Sequence, residues 1–182
     1  MNNLPSKEEA LNLLSKSGCS KEVISHCKAV ASLAVEIAER LRKNGLKVNV
    51  KLVEIGALLH DIGRSKTHSV HHAVVGAEIA RSMGLPNSVT SIIERHVGGG
   101  ITLEEAAKLG WPPKSYLPET IEEKIVCYAD KLIEGNRIVP IEVTVKKLAK
   151  ELGENHPAIS RIQELHEYFS SLVKKGADRN SP

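Results

Sequence analysis

Six side chains with metal-binding chemistry lie on segments whose other residues are patterned as buried helix. Imidazole nitrogens and carboxylate oxygens are common ligands of divalent cations. A buried carboxylate costs several kcal/mol unless it is paired or coordinates a cation. Directed inward together, such groups predict a divalent metal ion between them. The six residues are His26, His60, Asp61, His72, His96 and Asp130.

Helical spacing places these side chains on apolar faces. Asp130 shares a face with Val126, and His72 shares one with Ile79, whereas the adjacent His71 falls to another side. Singly, each histidine is also explained as a hydrogen-bonded core residue, and Asp130 as an acid paired at the surface. Only the combination favours a metal centre. The histidines predicted to lie at the surface are His68, His156 and His166.

The dipeptide His60-Asp61 constrains where the centre can form. On a regular helix, two adjacent side chains point about 100° apart. Both can reach one ion only from a common rim or near a helix end. Gly63 predicts such an end two residues after Asp61.

Composition and charge narrow the class of protein. The chain of 182 residues is 41% hydrophobic and 26% charged, which is typical of one globular domain. A net charge of +3 and an aromatic content of 3% argue against a nucleic-acid partner. There is no apolar run long enough to span a membrane and no signal-peptide pattern. With three cysteines and no CxxC spacing, these features predict a reducing, cytoplasmic location without a membrane partner.

Apolar periodicity and capping signals predict an all-α, single-domain helical bundle. Alternating valines and isoleucine over 139–145 would also fit a short strand, but helical spacing continuing to Leu152 favours helix. The predicted helices span residues 7–16, 20–43, 49–62, 71–83, 87–97, 102–109, 120–133, 141–152 and 156–175.

The bundle is predicted to divide into three parts. An N-terminal helical segment covers 1–19, a central domain 20–135, and a C-terminal helical extension that packs on the core covers 136–182. The last helix has enough apolar surface to pack on its own domain or on a second copy of the chain. Residues 98–100, three glycines, and the loop 111–118 are expected to border the site, with the glycines as its most flexible point.

The order of the candidate ligands resembles a known signature. His26, then the HDIG run of residues 60–63, then Asp130 is similar to the H…HD…D pattern of the HD-domain metal-dependent phosphohydrolases. The resemblance covers about residues 20–135 and implies a helical bundle that hydrolyses phosphate esters or anhydrides. A small nucleotide is the expected substrate.

The resemblance also implies roles for the ligands. Asp61 would bridge the first metal to a second one, which His72 and His96 would complete. Water acidified between the metals would attack phosphorus. A mixed nitrogen and oxygen shell suits Fe, Mn, Co, Ni or Mg better than a structural zinc, with one or two ions per chain. The implied ligands of the first metal are His26, His60, Asp61 and Asp130.

Substrate phosphate requires fixed cations as well. Arg64, three residues after Asp61, and Lys131, beside Asp130, are the candidates, with Arg95 behind them. Each of these cations would serve equally well as an ordinary surface charge.

Several alternatives stay open. The residues after His96 do not continue into an HHExxDGxGYP-like segment, which disfavours the cyclic di-GMP phosphodiesterase branch. A one-metal site would leave His72 and His96 to contact substrate phosphate. A non-catalytic, metal-containing module that senses a nucleotide or docks a partner is a second hypothesis. A plain helical scaffold is a third.

Overall fold

Nine α-helices and one small β-hairpin make up residues 3–179, the part of the chain that this computed structural model describes. Side chains are described as far as Leu172. Two 3-10 turns, Ile62–Ser65 and Val97–Gly99, lie between helices. Within the described part, no helix has the length and hydropathy needed to cross a membrane. The predicted all-α class is confirmed. The helices are α1 (Lys7–Ser17), α2 (Lys21–Lys43), α3 (Val50–Leu59), α4 (His72–Ser82), α5 (Asn87–Glu94), α6 (Leu103–Lys108), α7 (Ile121–Lys131), α8 (Ile141–Leu152) and α9 (Pro157–Arg179).

Local sequence signals explain where three helices begin. Ser6, Thr102 and Thr120 each accept a hydrogen bond from the backbone amide three residues further on, and the glutamate at that position accepts one from the backbone of the cap residue. This reciprocal capping satisfies amide groups that have no partner within the helix. The reciprocal cap at Thr120 fixes the start of α7, the helix that carries Asp130.

One continuous core joins the terminal helices to the centre of the bundle. α2 and α3 pack closely against each other at its middle. α1 contributes the fully buried Leu14, and α9 contributes Ile162 and Phe169 to the same cluster. Burial of each such side chain stabilises the fold by about 2 kcal/mol. The division at 1–19 and 136–182 stays a prediction, and both outer segments share the core of the central one.

A close approach of backbone to backbone places the turn after Asp61 against α4. A methyl group on Gly63 would overlap the carbonyl oxygen of His72. A methyl group on Gly76, one turn further along α4, would lie 3.0 Å from the amide nitrogen of Gly63 and 2.9 Å from Ile93. Glycine is therefore required at both positions because there is no space for a side chain. The contact holds His72 beside Asp61.

The structure corrects the predicted end of α7. The helix ends at Lys131 and not at 133, and Ile133–Glu134 (β1) pairs antiparallel with Arg137–Ile138 (β2). Gly135, with a φ of 60°, makes the turn between the strands. A short apolar run does not distinguish helix from strand by periodicity, which is why the hairpin was missed. The preference for helix over 141–152 is confirmed.

Two irregular stretches differ from the sequence-based expectation. Gly99 and Gly100 are buried and have positive φ angles, and a methyl group on Gly100 would lie 2.6 Å from Pro118. The glycines therefore form a packed connection in place of the flexible point that was expected, although Gly98 lines the cleft, as expected for a stretch that borders the site. Trp111 is buried in a separate apolar cluster, and the loop 111–118 contributes no residue to the lining of the cleft described below.

Candidate metal centre

The structure brings all six predicted ligands together. His60 and Asp61 directly follow α3, which ends at Leu59 and not at residue 62 as predicted. The two residues nevertheless lie at a helix end, as the sequence required. The side chains of these two residues and of His72 and His96 are almost completely inaccessible to solvent. The remaining pair is half-buried: α2 supplies His26 and the last turn of α7 supplies Asp130.

Backbone carbonyls orient every histidine of the centre in the same way. In each ring Nδ1 lies 2.7 or 2.8 Å from a carbonyl oxygen, and since a carbonyl only accepts, Nδ1 carries the proton. The other nitrogen, Nε2, is then left to present its lone pair to the centre. The four pairs are His26 with Gly135, His60 with Ala57, His72 with Ser69, and His96 with Ile93.

Asp61 lies between two groups of donor atoms. Its Oδ1 is 3.0 Å from Nε2 of His72 and 3.5 Å from Nε2 of His96. Its Oδ2 is 3.7 Å from Nε2 of His60 and 3.9 Å from Nε2 of His26. Each oxygen of the Asp61 carboxylate therefore faces one pair of histidines. Oδ1 faces His72 and His96, and Oδ2 faces His60 and His26.

Asp130 completes the group around the second of these oxygens. Its Oδ1 lies 3.0 Å from Nε2 of His26 and 3.5 Å from Nε2 of His60. The ligand atoms of these three residues lie within 4.8 Å of one another, and so do those of His60, Asp61 and His96. Such spacings suit donor atoms arranged around shared cations, since ligand distances are about 2.0–2.2 Å.

Unsatisfied polar atoms show that these residues fit a divalent cation. Nε2 of His60 and Oδ1 of Asp61 are buried and make no hydrogen bond among the described residues. Nε2 of His72 lies 3.0 Å from Nε2 of His96, so two lone pairs face each other. A buried acceptor without a donor is destabilising, and a bound cation removes that cost.

Electrostatics support the same conclusion. Burial raises the pKa of both carboxyls. At Asp61 the neighbouring histidines outweigh it, and at Asp130 the Lys131 ammonium and two histidines do, so both pKa values lie well below their usual range. Burial lowers the pKa of His96 to about 4, which keeps the imidazole neutral. Burial also opposes the charged form of His60, yet the Asp61 carboxylate raises that pKa well above its ordinary value, so Nε2 favours a cation, which is a proton when no metal is bound. The centre is thus a place where positive charge is favoured.

The two cations predicted to bind phosphate lie against the ligand carboxylates. Nε of Arg64 donates to Oδ2 of Asp61 at 2.6 Å, and Nζ of Lys131 donates to Oδ2 of Asp130. Both side chains also line the cleft. Arg95 does not line it, because its guanidinium is paired with two glutamates at 3.0 Å; they are Glu119 and Glu123.

A cleft of about 670 Å³ opens onto the centre. Its lining includes Lys108, Lys147 and Thr144, none of which the sequence analysis singled out. It also includes His68 and His156, which were predicted as surface residues; His68 is exposed and His156 is half-buried. The available sequence signal that α8 lines a cleft was a helical face that mixes Val, Thr, Lys and Leu. The same pattern is equally typical of a helix face exposed to solvent.

The fold and the centre define a class of helical domains that gather histidines and aspartates into a site for divalent metal. The model of the HD domain family matches residues 23–135, and the chain belongs to this family. The resemblance stated from the sequence is thereby confirmed.

Relatives of known sequence extend over most of the chain. An uncharacterized protein of Methanocaldococcus jannaschii is 52% identical over 92% of this chain and 98% of its own length. A tRNA (cytidine(56)-2'-O)-methyltransferase of Thermoplasma volcanium is 43% identical over 96% of this chain and 50% of its own. A ribonuclease Y of Aquifex aeolicus is 32% identical over 72% of this chain and 21% of its own. The chain thus spans about half the methyltransferase and a fifth of the ribonuclease.

A solved structure has the same fold. The HD domain of the Listeria monocytogenes phosphodiesterase PgpH, in complex with cyclic-di-AMP, superimposes with a TM-score of 0.55 at 18% identity. The match covers 96% of this chain and 98% of that domain. The similarity confirms the helical fold.

Proposed function

We propose that the chain is a metal-dependent phosphohydrolase that cleaves a phosphate ester or anhydride of a small nucleotide. The observation that carries the proposal is the position of Asp61 between two groups of histidines, each with its free Nε2 turned towards the carboxylate. A histidine that only supports the fold does not need an unprotonated ring nitrogen. A histidine that binds metal needs one, because the nitrogen lone pair is the ligand.

In the proposed site, Asp61 would share its oxygens between two metals, with His72 and His96 completing the second. When bound, divalent metal supplies an acidified water and neutralises charge on phosphoryl oxygens. The histidines hold the donor geometry through their Nδ1 bonds, so little reorganisation is needed on loading. The proposed ligands of the first metal are His26, His60, Asp61 and Asp130.

Arg64 and Lys131 would bind the substrate phosphate from the protein side. Arg64 donates to Oδ2 of Asp61, the oxygen that also faces His26 and His60, and Lys131 donates to Oδ2 of Asp130. Arginine has further N–H groups beyond the one used, and lysine has two more protons, so both can donate to a phosphoryl oxygen without releasing the carboxylate. This places fixed positive charge where negative charge must be neutralised.

The comparisons support hydrolysis more than they support any one substrate. PgpH is named a phosphodiesterase and was solved with cyclic-di-AMP, and ribonuclease Y is named for RNA. These names point to phosphate bonds of nucleotides. Residues 20–135 would carry the chemistry, and side chains between 143 and 158 of the C-terminal extension contribute to the lining of the cleft.

A second candidate is a non-catalytic, metal-containing module that senses a nucleotide or docks a partner. It is favoured by the methyltransferase relatives, in which the matching segment is half of a longer chain named for tRNA methylation. In such a protein the segment could serve the neighbouring activity without any hydrolysis of its own.

One experiment separates these functions. Metal content is measured by plasma mass spectrometry on protein purified without chelators, beside Asp61→Ala. The same samples are assayed with bis-p-nitrophenyl phosphate and a nucleotide panel under added Mn, Co, Ni, Mg or Fe. Turnover and metal that are both lost in Asp61→Ala would establish the hydrolase. Metal without turnover on any substrate would favour the sensing module, and a protein that binds no metal under any condition contradicts both.

A further inference from the structure

The imidazole of His26 is oriented differently from the other three histidines of the centre. In His60, His72 and His96, Nδ1 donates to the carbonyl of the residue three positions earlier, so the local backbone fixes each ring. Nδ1 of His26 donates at 2.8 Å to the carbonyl of Gly135, which lies 109 residues later in the chain. The side chain of His26 is also the most exposed of the four, at 18% against 5% or less. The orientation of this ring therefore depends on a distant segment.

That distant segment contacts both nitrogens of the His26 ring. Oδ1 of Asp130, in the last turn of α7, lies 3.0 Å from Nε2. The carbonyl of Gly135, in the turn that follows, accepts from Nδ1. One short stretch, residues 130–135, thus supplies a neighbouring ligand of the same metal and the group that orients the ring.

The β-hairpin keeps the carbonyl of Gly135 in position. β1 and β2 pair antiparallel on either side of the turn. Ile133 of β1 is 7% exposed and belongs to the core cluster. Nδ2 of Asn136 donates to Oγ of Ser25 at 3.2 Å, and Ser25 directly precedes His26 on α2. The hairpin is therefore attached both to the core and to the helix that carries His26.

The turn at Gly135 depends on backbone conformation and not on packing. Gly135 has a φ of 60°, which residues with a side chain rarely adopt, and an added Cβ would meet no atom within 4 Å. Each strand is only two residues long, and so short a hairpin has little stability of its own. A side chain at this position is therefore expected to displace the turn, and with it the carbonyl, without a steric clash elsewhere.

We propose that the hairpin 133–138 is the positioning element for His26 and thereby sets the affinity of the first metal. The Gly135 carbonyl keeps the proton on Nδ1 and directs the lone pair of Nε2 towards the cation. This inference rests on the proposed function, because it assigns a role at the same metal centre. β2 lies beyond residue 135, where the family match ends, so the family pattern does not contain the complete hairpin.

Metal titration tests the proposal without requiring turnover. The full chain is stripped with a chelator and titrated with Mn in a calorimeter. The test variant is Gly135→Val, because a β-branched residue at positive φ is strongly disfavoured. Gly45→Val is the matched control: its φ is 89° and an added Cβ would meet no atom within 4 Å. Gly45 lies beyond the far end of α2, about 25 Å along the helix from His26.

A milder pair of variants keeps the test decisive. Circular dichroism verifies that each variant is folded. If a valine variant is unfolded, Gly135→Ala and Gly45→Ala are compared in its place.

Gly135→Val should raise the Kd of the first metal by about 10-fold or more, the scale observed when a group that orients a metal ligand is lost. Gly45→Val should bind Mn like the wild type, although both variants lose thermal stability. In a His26→Ala background, Gly135→Val should cause no further loss of Mn affinity. An effect through the fold alone would add to that of His26→Ala.

The possible failures are distinguishable. Unchanged Mn affinity in the Gly135 variants, with hydrolysis retained, would overturn the inference and leave the phosphohydrolase standing. An equal loss of Mn affinity in the Gly45 variants, or additivity with His26→Ala, would also overturn it. Mn binding that depends on Gly135 in a protein that hydrolyses no phosphate substrate would contradict the phosphohydrolase and support the inference.

Discussion

Oδ1 of Asp61 lies 3.0 Å from Nε2 of His72, although a turn and a loop separate the two residues in the chain. The contact exists because the backbone at Gly63 lies directly against α4. The geometry of the centre therefore depends on a glycine that has no polar side chain of its own.

Replacing His72 should remove one metal and leave the other. His72→Ala takes a donor from the group at Oδ1 of Asp61 but leaves His26, His60 and Asp130 intact. Plasma mass spectrometry should then show about half of the wild-type metal content. His71→Ala is the matched control, because His71 is an exposed neighbour whose Nδ1 accepts from Trp111. Unchanged metal content in His72→Ala would favour the one-metal site.

A methyl group on Gly63 should disrupt both the fold and the centre. Gly63→Ala forces an overlap with the carbonyl of His72, and overpacking of this kind costs about 3 kcal/mol. Denaturant unfolding should show that loss, together with reduced metal content. Gly110→Ala is the control: its φ is 69° and no atom lies within 4 Å, so it should cost about 1 kcal/mol from backbone strain alone. Equal losses in the two variants would contradict the steric account.

Chelation should lower the thermal stability of the wild-type protein. A cation that binds only the folded state adds stability that grows with the logarithm of its concentration over Kd. Treatment with a chelator should therefore lower Tm, and added Mn should restore it. Asp61→Asn should abolish this response, because the amide replaces the carboxylate that faces both histidine pairs. A wild-type Tm that is insensitive to chelation would favour the plain helical scaffold.

Arg64→Gln should separate substrate binding from metal binding. The variant removes the charge that would meet the phosphate, and a charge-assisted hydrogen bond of this kind corresponds to about 10-fold in affinity. KM should rise by that factor while metal content stays near the wild-type value. Lys108→Gln is a control at the same cleft but away from the ligand carboxylates. Loss of metal in Arg64→Gln would mean that the arginine serves to hold Asp61 in place.

The ion pair of Glu105 and Arg161 should make stability depend on pH in the acid range. Burial raises the pKa of Glu105, but the backbone amide of Thr102 and the guanidinium outweigh it, so the folded-state pKa lies below 4.5. A lowered folded pKa contributes stability that is fully present above about pH 4.5 and is lost as pH falls through that folded value. Glu105→Gln should therefore be less stable than wild type at pH 7, with the difference shrinking in acid. Unfolding followed by circular dichroism at pH 7 and in acid measures this difference, and a difference of the same size at both pH values would contradict the account.

Most of the helices and the inward orientation of the candidate ligands could be predicted from local sequence. The helical period and the capping boxes at Ser6, Thr102 and Thr120 placed the helices within a few residues. The same period turned the candidate ligands towards the core, since side chains three or four residues apart share a face. Buried carboxylates then required a cation. These conclusions depend only on neighbours along the chain.

Tertiary structure decided the rest, because it depends on segments that are distant in sequence. Which oxygen of Asp61 meets which histidine follows from the packing of the turn at Gly63 on α4. The hairpin after α7 exists because Gly135 turns back there, and its carbonyl accepts from His26, more than a hundred residues earlier in the chain. The sequence also could not predict that α8 lines the cleft, since its apolar pattern is that of any amphipathic helix. Periodicity shows that a face is apolar, and only packing shows what that face meets.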